Sequence, residues 1–146
     1  MNIFSAMEIV ASGLIAQRTR LNLVASNLAN AETTRTAEGG PYRRRDPVFV
    51  TRPVATRFAD LQSDPVAQQA SLVEVDRIET DTSPPRLVYD PDHPDADTEG
   101  YVQMPNVNVI EEMVNMMTAS RAYESGVTAM QTVRGLADAA LRLGQA

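Results

Sequence analysis

The densest run of groups capable of chemistry is Asp90-Pro91-Asp92-His93-Pro94-Asp95-Ala96-Asp97-Thr98-Glu99-Gly100. Asp95, Asp97, Glu99 and Gly100 stand at the first, third, fifth and sixth positions of a calcium-loop pattern. The twelfth position is Asn106, where such a loop needs a bidentate Glu. The pattern is therefore incomplete, and a turn-rich acidic loop whose Asp side chains bond backbone amides describes the segment better. His93, the only histidine, has the chemistry of a general base, but it sits between two prolines with no positioned nucleophile beside it.

Two further constellations stand out. Gly39-Gly40-Pro41-Tyr42-Arg43-Arg44-Arg45 joins flexible backbone, an aromatic ring and three guanidinium groups. Phosphate contact is one reading of it; docking on an acidic partner surface suits the acidic remainder of the chain better. Asn27 and Asn30 are three residues apart and share a helix face, followed by Thr33, with Ala25, Ala29 and Ala31 interleaved. They form either a plain polar helix end or a pair of amides that bond neighbouring helices and fix register.

These groups must be positioned by three zones. Residues 3–31 and 107–143 read as long helices. In the first, Ile3, Met7, Val10, Leu14, Gln17, Leu21, Val24, Leu28 and Ala31 alternate by four and three, a heptad seam with one polar break. In the second, the same alternation runs through Val109, Met113, Met116, Ser120, Tyr123, Val127, Met130, Arg134, Ala137 and Leu141. Asn108 with Glu111 makes a capping-box-like start, and Gly144 is a plausible stop. Residues 35–105 hold strand candidates at 46–50, 72–79, 86–89 and 100–104, punctuated by eight of the nine prolines, from Pro47 to Pro105. The fold class expected is mainly α with a small β part: terminal helices paired as a coiled-coil-like hairpin around an irregular β-rich middle. The domains expected are a discontinuous helical core, 1–34 with 106–146, and a middle β/loop region, 35–105.

Apolar residues also lie off both seams: Phe4, Ile9, Ile15 and Leu23 in the first helix, and Ile110, Val114, Met117, Val133, Leu136 and Leu143 in the last. A two-helix hairpin buries one stripe per helix, and the middle region is small and polar. Other chains are therefore expected to cover what remains.

Composition narrows the function. The 146 residues carry a net charge of −6, against general nucleic-acid binding. The absence of Cys excludes disulfides and thiolate chemistry. No stretch reaches the ~20 apolar residues of a membrane span, so no direct membrane insertion is expected. No basic residue precedes Arg18 and Glu8 interrupts the first apolar run, so a cleaved secretory signal is not expected either. Charge is segregated: six Arg lie between Arg35 and Arg57, and eleven acids between Glu74 and Glu112. That is either complementarity between like subunits or two solvated faces of one domain.

The pattern Asn27, Ala29, Asn30 and Thr33 resembles the Asn-x-Ala-Asn-x-x-Thr signature of the axial proteins of the bacterial flagellum, its rod and hook subunits. Residues 39–44, residues 89–97, and Gly100-Tyr101-Val102 with Pro105-Asn106-Val107-Asn108 narrow the resemblance to the proximal-rod subunits. Glu112-Met113, Met116, Arg121 and Tyr123-Glu124 agree with it. Ser125-Gly126 stands where such proteins usually carry a small residue and Asn, and residues 56–69 resemble an insertion.

The resemblance implies a structural role without enzymatic activity or cofactor: a subunit that self-assembles through its terminal helices into a hollow drive shaft around an export channel. Implied partners are other copies of the chain, other proximal and distal rod subunits, the hook-basal-body adapter and membrane-ring proteins at the rod base, and the flagellar type III export apparatus. The implied location is the periplasmic rod of the basal body. The assembly interface expected comprises Met7, Val10, Leu14, Leu21, Val24, Asn27, Leu28, Asn30, Thr33, Tyr42, Arg43, Arg44, Met113, Met116, Tyr123, Val127 and Met130. Two alternatives remain: another axial subunit, and a calcium-binding module or hydrolase centred on residues 90–99.

Overall fold

The structure, a computed structural model, describes residues 3–54 and 70–143. The insertion-like stretch 56–69 and the Gly144 stop lie outside the described residues. The element order is α1 (Ile3–Ala29), β1 (Arg45–Pro53), β2 (Ser71–Thr80), β3 (Arg86–Tyr89), β4 (Tyr101–Met104) and α2 (Val109–Leu143). The expected fold class is the one observed. At ~1.5 Å per residue the helices are about 40 and 52 Å long. None of the described helices is long and apolar enough to cross a membrane.

The described residues form two compact units. One draws on 3–19, 48–54, 70–77 and 119–143, the other on 20–47 and 78–118.

In the first unit α1 is covered by the β region as well as by helix. The Val73 N–H of β2 donates to Ser12 Oγ at 3.1 Å, and that hydroxyl donates to the Ile9 carbonyl at 2.7 Å. The middle of the chain thus reaches α1 at Ser12, while large apolar residues of both helices stay exposed. Strands β1 and β2 pair with each other, and Arg52 meets Glu74 across them at 3.2 Å. A Cβ placed on Gly126 of α2 would lie 2.8 Å from Leu14 Cδ2. Close helix approach, not an amide contact, is what the Ser125-Gly126 pair provides.

In the second unit α1 ends on Asn30, whose Nδ2 donates to the Ser26 carbonyl at 2.8 Å. Asn108 caps α2: its Oδ1 accepts from the N–H groups of Ile110 at 3.1 Å and Glu111 at 3.4 Å. Glu111 and Glu112 then place negative charge at the positive end of the helix dipole. Strands β3 and β4 pair antiparallel, Arg86 opposite Met104 and Tyr89 opposite Tyr101. The two tyrosine rings meet edge-on, with centroids 5.3 Å apart. Gly100 turns with φ +84°, and a Cβ there would lie 2.9 Å from Tyr89 Cε2. Only glycine fits both the backbone angle and the ring.

The protected line of α2 is Glu112, Met116, Ala119, Tyr123, Gly126, Met130, Val133 and Ala137, alternating by four and three without a break. The seam read from hydropathy shares Met116, Tyr123, Met130 and Ala137 with it and is one residue late at the alternate positions. Ser120 and Arg134 looked like breaks because Ala119 and Val133 hold those places.

Candidate assembly site

The most buried polar side chains among the described residues are Asn27 and Glu112, both 0% exposed. Asn27 lies on the last turn of α1 and Glu112 on the first turn of α2. Their juxtaposition is set by helix contact: Arg20 bonds Asn115 at 3.3 Å, and one helical stretch further along α1, Asn27 bonds Glu112. The partner number falls as the α1 number rises, so the helices run antiparallel in this unit.

A primary amide offers two N–H donors and two acceptor sites. Asn27 uses all four. Its Nδ2 donates to the Arg45 carbonyl and to Glu112 Oε2, each at 2.9 Å. Its Oδ1 accepts from the Tyr42 hydroxyl and from the Arg45 N–H, each at 2.9 Å. A flipped amide would set oxygen against carboxylate, so the orientation is fixed by its partners.

The second Glu112 oxygen accepts from Arg44 Nε at 2.8 Å. Arg44 also reaches Asp46 at 3.1 Å. Burial pulls the Arg44 guanidinium downward, but the hydrogen bond and charge of Glu112, with Asp46, outweigh it and hold its pKa above the ordinary arginine value. The backbone of Arg44 is clamped as well, its N–H donating to Asn106 Oδ1 at 3.1 Å and its carbonyl accepting from the Asp81 N–H at 2.8 Å. Arg45 lays its guanidinium over the Tyr42 ring, 5.8 Å from the centroid.

Such an arrangement has no open valence for substrate. An ion pair taken out of water returns little net stability, yet removing one partner strands the other at a cost of about 3–5 kcal/mol. Its effect is registration: Asn27 reads the segment around residue 45 and the start of α2 at once, and permits one alignment of the three.

Of the residues expected at the interface, this junction gathers Asn27, Tyr42 and Arg44. Val24 is buried and Met7, Val10, Leu14, Leu21, Leu28, Met116, Tyr123, Val127 and Met130 are half-buried along the helices. Asn30 and Thr33 bond each other at 3.2 Å and cap their own helix. The two expected amides thus divide, one joining helices and one ending a helix. Arg43 and Met113 are exposed. The 39–45 segment docks on Glu112 of its own chain, so part of the segregated charge is spent internally. Arg35 with Asp95 adds a looser pair at 3.9 Å. Glu112 and Asn106 were not picked out as site residues. A charged residue on an apolar helix face, with an Arg run elsewhere to neutralise it, was the available signal.

The acidic loop is bound up in itself. Asp97 Oδ1 accepts from the N–H groups of Glu99 and Tyr101 at 2.8 and 2.9 Å. Asp95 accepts from the Thr34 hydroxyl at 2.8 Å, and His93 Nδ1 from the Asp95 N–H at 3.1 Å. Among the described residues no three His, Cys, Asp or Glu side chains are grouped to hold a metal ion.

Opposite the protected line of α2, Ile110, Met113, Val114 and Met117 form a single exposed apolar stripe, with Ile110 75% exposed.

Comparison with known proteins decides what this architecture is. Residues 7–35 match the family model described as flagella basal body rod protein, and residues 98–143 the one described as flagellar basal body rod FlgEFG protein C-terminal. The chain is 40% identical over 154 residues to the flagellar basal-body rod protein FlgC of Borreliella burgdorferi, covering 99% of both chains. The chain belongs to the FlgC family of flagellar basal-body rod proteins. The FlgC of Bacillus subtilis is 39% identical over 152 residues, spanning 99% of this chain and all of that one. The FlgC of Salmonella typhimurium is 40% identical over 146 residues with the same coverage. The matched segments contain both Asn27 and Glu112, so the junction lies within the parts of the chain that carry the FlgC likeness.

Proposed function

We propose that the chain is a structural subunit of the proximal rod of the flagellar basal body and has no enzymatic role. The observation that carries this is 39–41% identity along essentially the whole chain to proteins named as FlgC. It assembles with other rod components of the basal body. In the finer reading its terminal helices, 1–34 and 106–146, line a hollow drive shaft around the export channel, and residues 35–105 form an outer layer. The shaft carries torque to the hook. Its neighbours there are further copies, other proximal and distal rod subunits, and at the base the hook-basal-body adapter and membrane-ring proteins. The type III export apparatus delivers it to the periplasm without a cleaved signal.

The exposed stripe of Ile110, Met113, Val114 and Met117 supports this reading, since side chains of that size left in water are stabilising only when something covers them. The expected interface residues divide accordingly: Asn27, Tyr42 and Arg44 shape the subunit, while Met113 and Arg43 face outward to neighbours.

The deciding experiment is electron microscopy of isolated hook-basal bodies from cells whose only copy bears an internal tag in residues 56–69. Tag density on the rod supports the reading. Complete basal bodies without it overturn it.

A further inference from the structure

A cavity of about 80 Å³ in the second unit is lined by Pro41, Tyr42, Arg43, Ser83, Pro85, Gln103 and Asn106. Two donors there lack an acceptor. Asn106 spends its Oδ1 on the Arg44 N–H, which fixes the amide, and its Nδ2 is buried with no partner. Arg43 is exposed and makes no ion pair among the described residues. Among neighbouring arginines, Arg35 meets Asp95, Arg44 meets Glu112 and Arg52 meets Glu74. Asp81, which feels the charge of Arg43, turns its carboxylate to Ser83, whose N–H reaches it at 2.8 Å. Arg43 is a permanent cation on the lining of this cavity, and a carboxylate that enters it pairs with the guanidinium.

We propose that this cavity receives an acidic side chain from a second copy of the chain, namely Asp92. The 90–100 loop presents that residue rigidly. The His93 N–H bonds the Asp90 carbonyl at 3.3 Å, so Asp92 stands at the corner of a tight turn. Its carboxylate is exposed and holds no hydrogen bond among the described residues, whereas Asp95 and Asp97 are already engaged. Within one chain the loop is tied through Asp95 to Thr34 and Arg35, and Asp92 and Arg43 do not pair. A knob and a socket of opposite charge on one chain make a heterologous contact, which repeats along an assembly instead of closing on itself. The proposal rests on the rod reading for its multiple copies.

The chain's lack of Cys makes the test clean. Cells express two versions together, one carrying Ser83→Cys and one Asp92→Cys, and are treated with a mild oxidant. A disulfide-linked adduct of twice the subunit mass, absent from either version alone, is expected, because bridged Cα atoms must come within about 7 Å. In parallel, Arg43→Glu and Asp92→Arg should each lower the number of assembled rods about tenfold, through like charges brought together, and the two combined should restore it. Melting of each purified variant at the wild-type temperature shows that folding is intact. No adduct, or a double variant no better than the singles, overturns the proposal. If the adduct forms while the tagged protein is absent from the rod, the socket stands and the rod reading falls.

Discussion

Asn27 Nδ2 and Glu112 Oε2 lie 2.9 Å apart, and neither residue touches solvent. The contact joins residues 85 positions apart in sequence. Glu112→Ala leaves one buried Asn27 N–H unpaired and the partly exposed Arg44 with Asp46 alone, so it should cost about 3 kcal/mol. Glu112→Gln keeps the shape and one acceptor and should cost less, about 1–3 kcal/mol. Denaturant unfolding of the purified chain measures both. Equal, small losses would mean that the junction does not hold the helices in register.

Folding and assembly should separate on opposite faces of α2. Ala119 is 0% exposed, and Ala119→Asp buries an unpaired charge that should unfold the helix pair. Met117 is 52% exposed, and Met117→Asp should leave stability within about 0.5 kcal/mol of wild type. Circular dichroism checks the fold of each. A swarm assay then reads assembly, and Met117→Asp should be folded yet poorly motile.

Gly126 opposes two effects. Gly126→Ala gains up to about 1 kcal/mol of helix propensity. The added methyl meets the flexible end of Leu14 at 2.8 Å, which yields cheaply, so the net change should be small. Gly126→Leu overfills the same place and should cost about 1–3 kcal/mol. Thermal melts should therefore show little change for Gly126→Ala and a clear loss for Gly126→Leu.

Asp81 has its pKa lowered by the hydrogen bonds from the Ser83 side chain and N–H. A carboxyl lowered in the folded state adds stability above its unfolded pKa and loses it as pH falls through the lowered value. Asp81→Asn should therefore be less stable than wild type near neutral pH, and the gap should close in acid. Melting temperatures compared at about pH 6 and about pH 3 test this. A gap that widens in acid contradicts the sign.

The end of α2 should open first. From Arg134 to Leu143 every residue but Ala137 is exposed, with Leu143 at 81%. Amide exchange should be fast there and slow around Ala119, because local opening is cheap where few apolar contacts are lost.

Both described helices and all four described strands were legible in the sequence, because heptad spacing and prolines mark them plainly. The rotation of α2 was not. Hydropathy favours Met113 and Val127 for the inner line, and tertiary packing chose Glu112 and Gly126 instead. A glycine there lets the helices approach, and a carboxylate is admitted inside because Arg44 and Asn27 meet it. Patterns of apolar residues carry no information about either compensation. The sequence left Asn27 and Asn30 open between a polar helix end and amides that bond neighbouring helices; Asn27 bonds Glu112 of the other helix, while Asn30 was taken up locally by Ser26 and Thr33.

The fourfold saturation of the Asn27 amide gives the molecule a requirement of completeness. Of its four bonds, one waits on residue 112, two on residue 45 and one on residue 42. A polypeptide threaded through a narrow conduit, or cut short before its final third, cannot close that knot and keeps its first helix loose. The four bonds close together or not at all once residue 112 is in place.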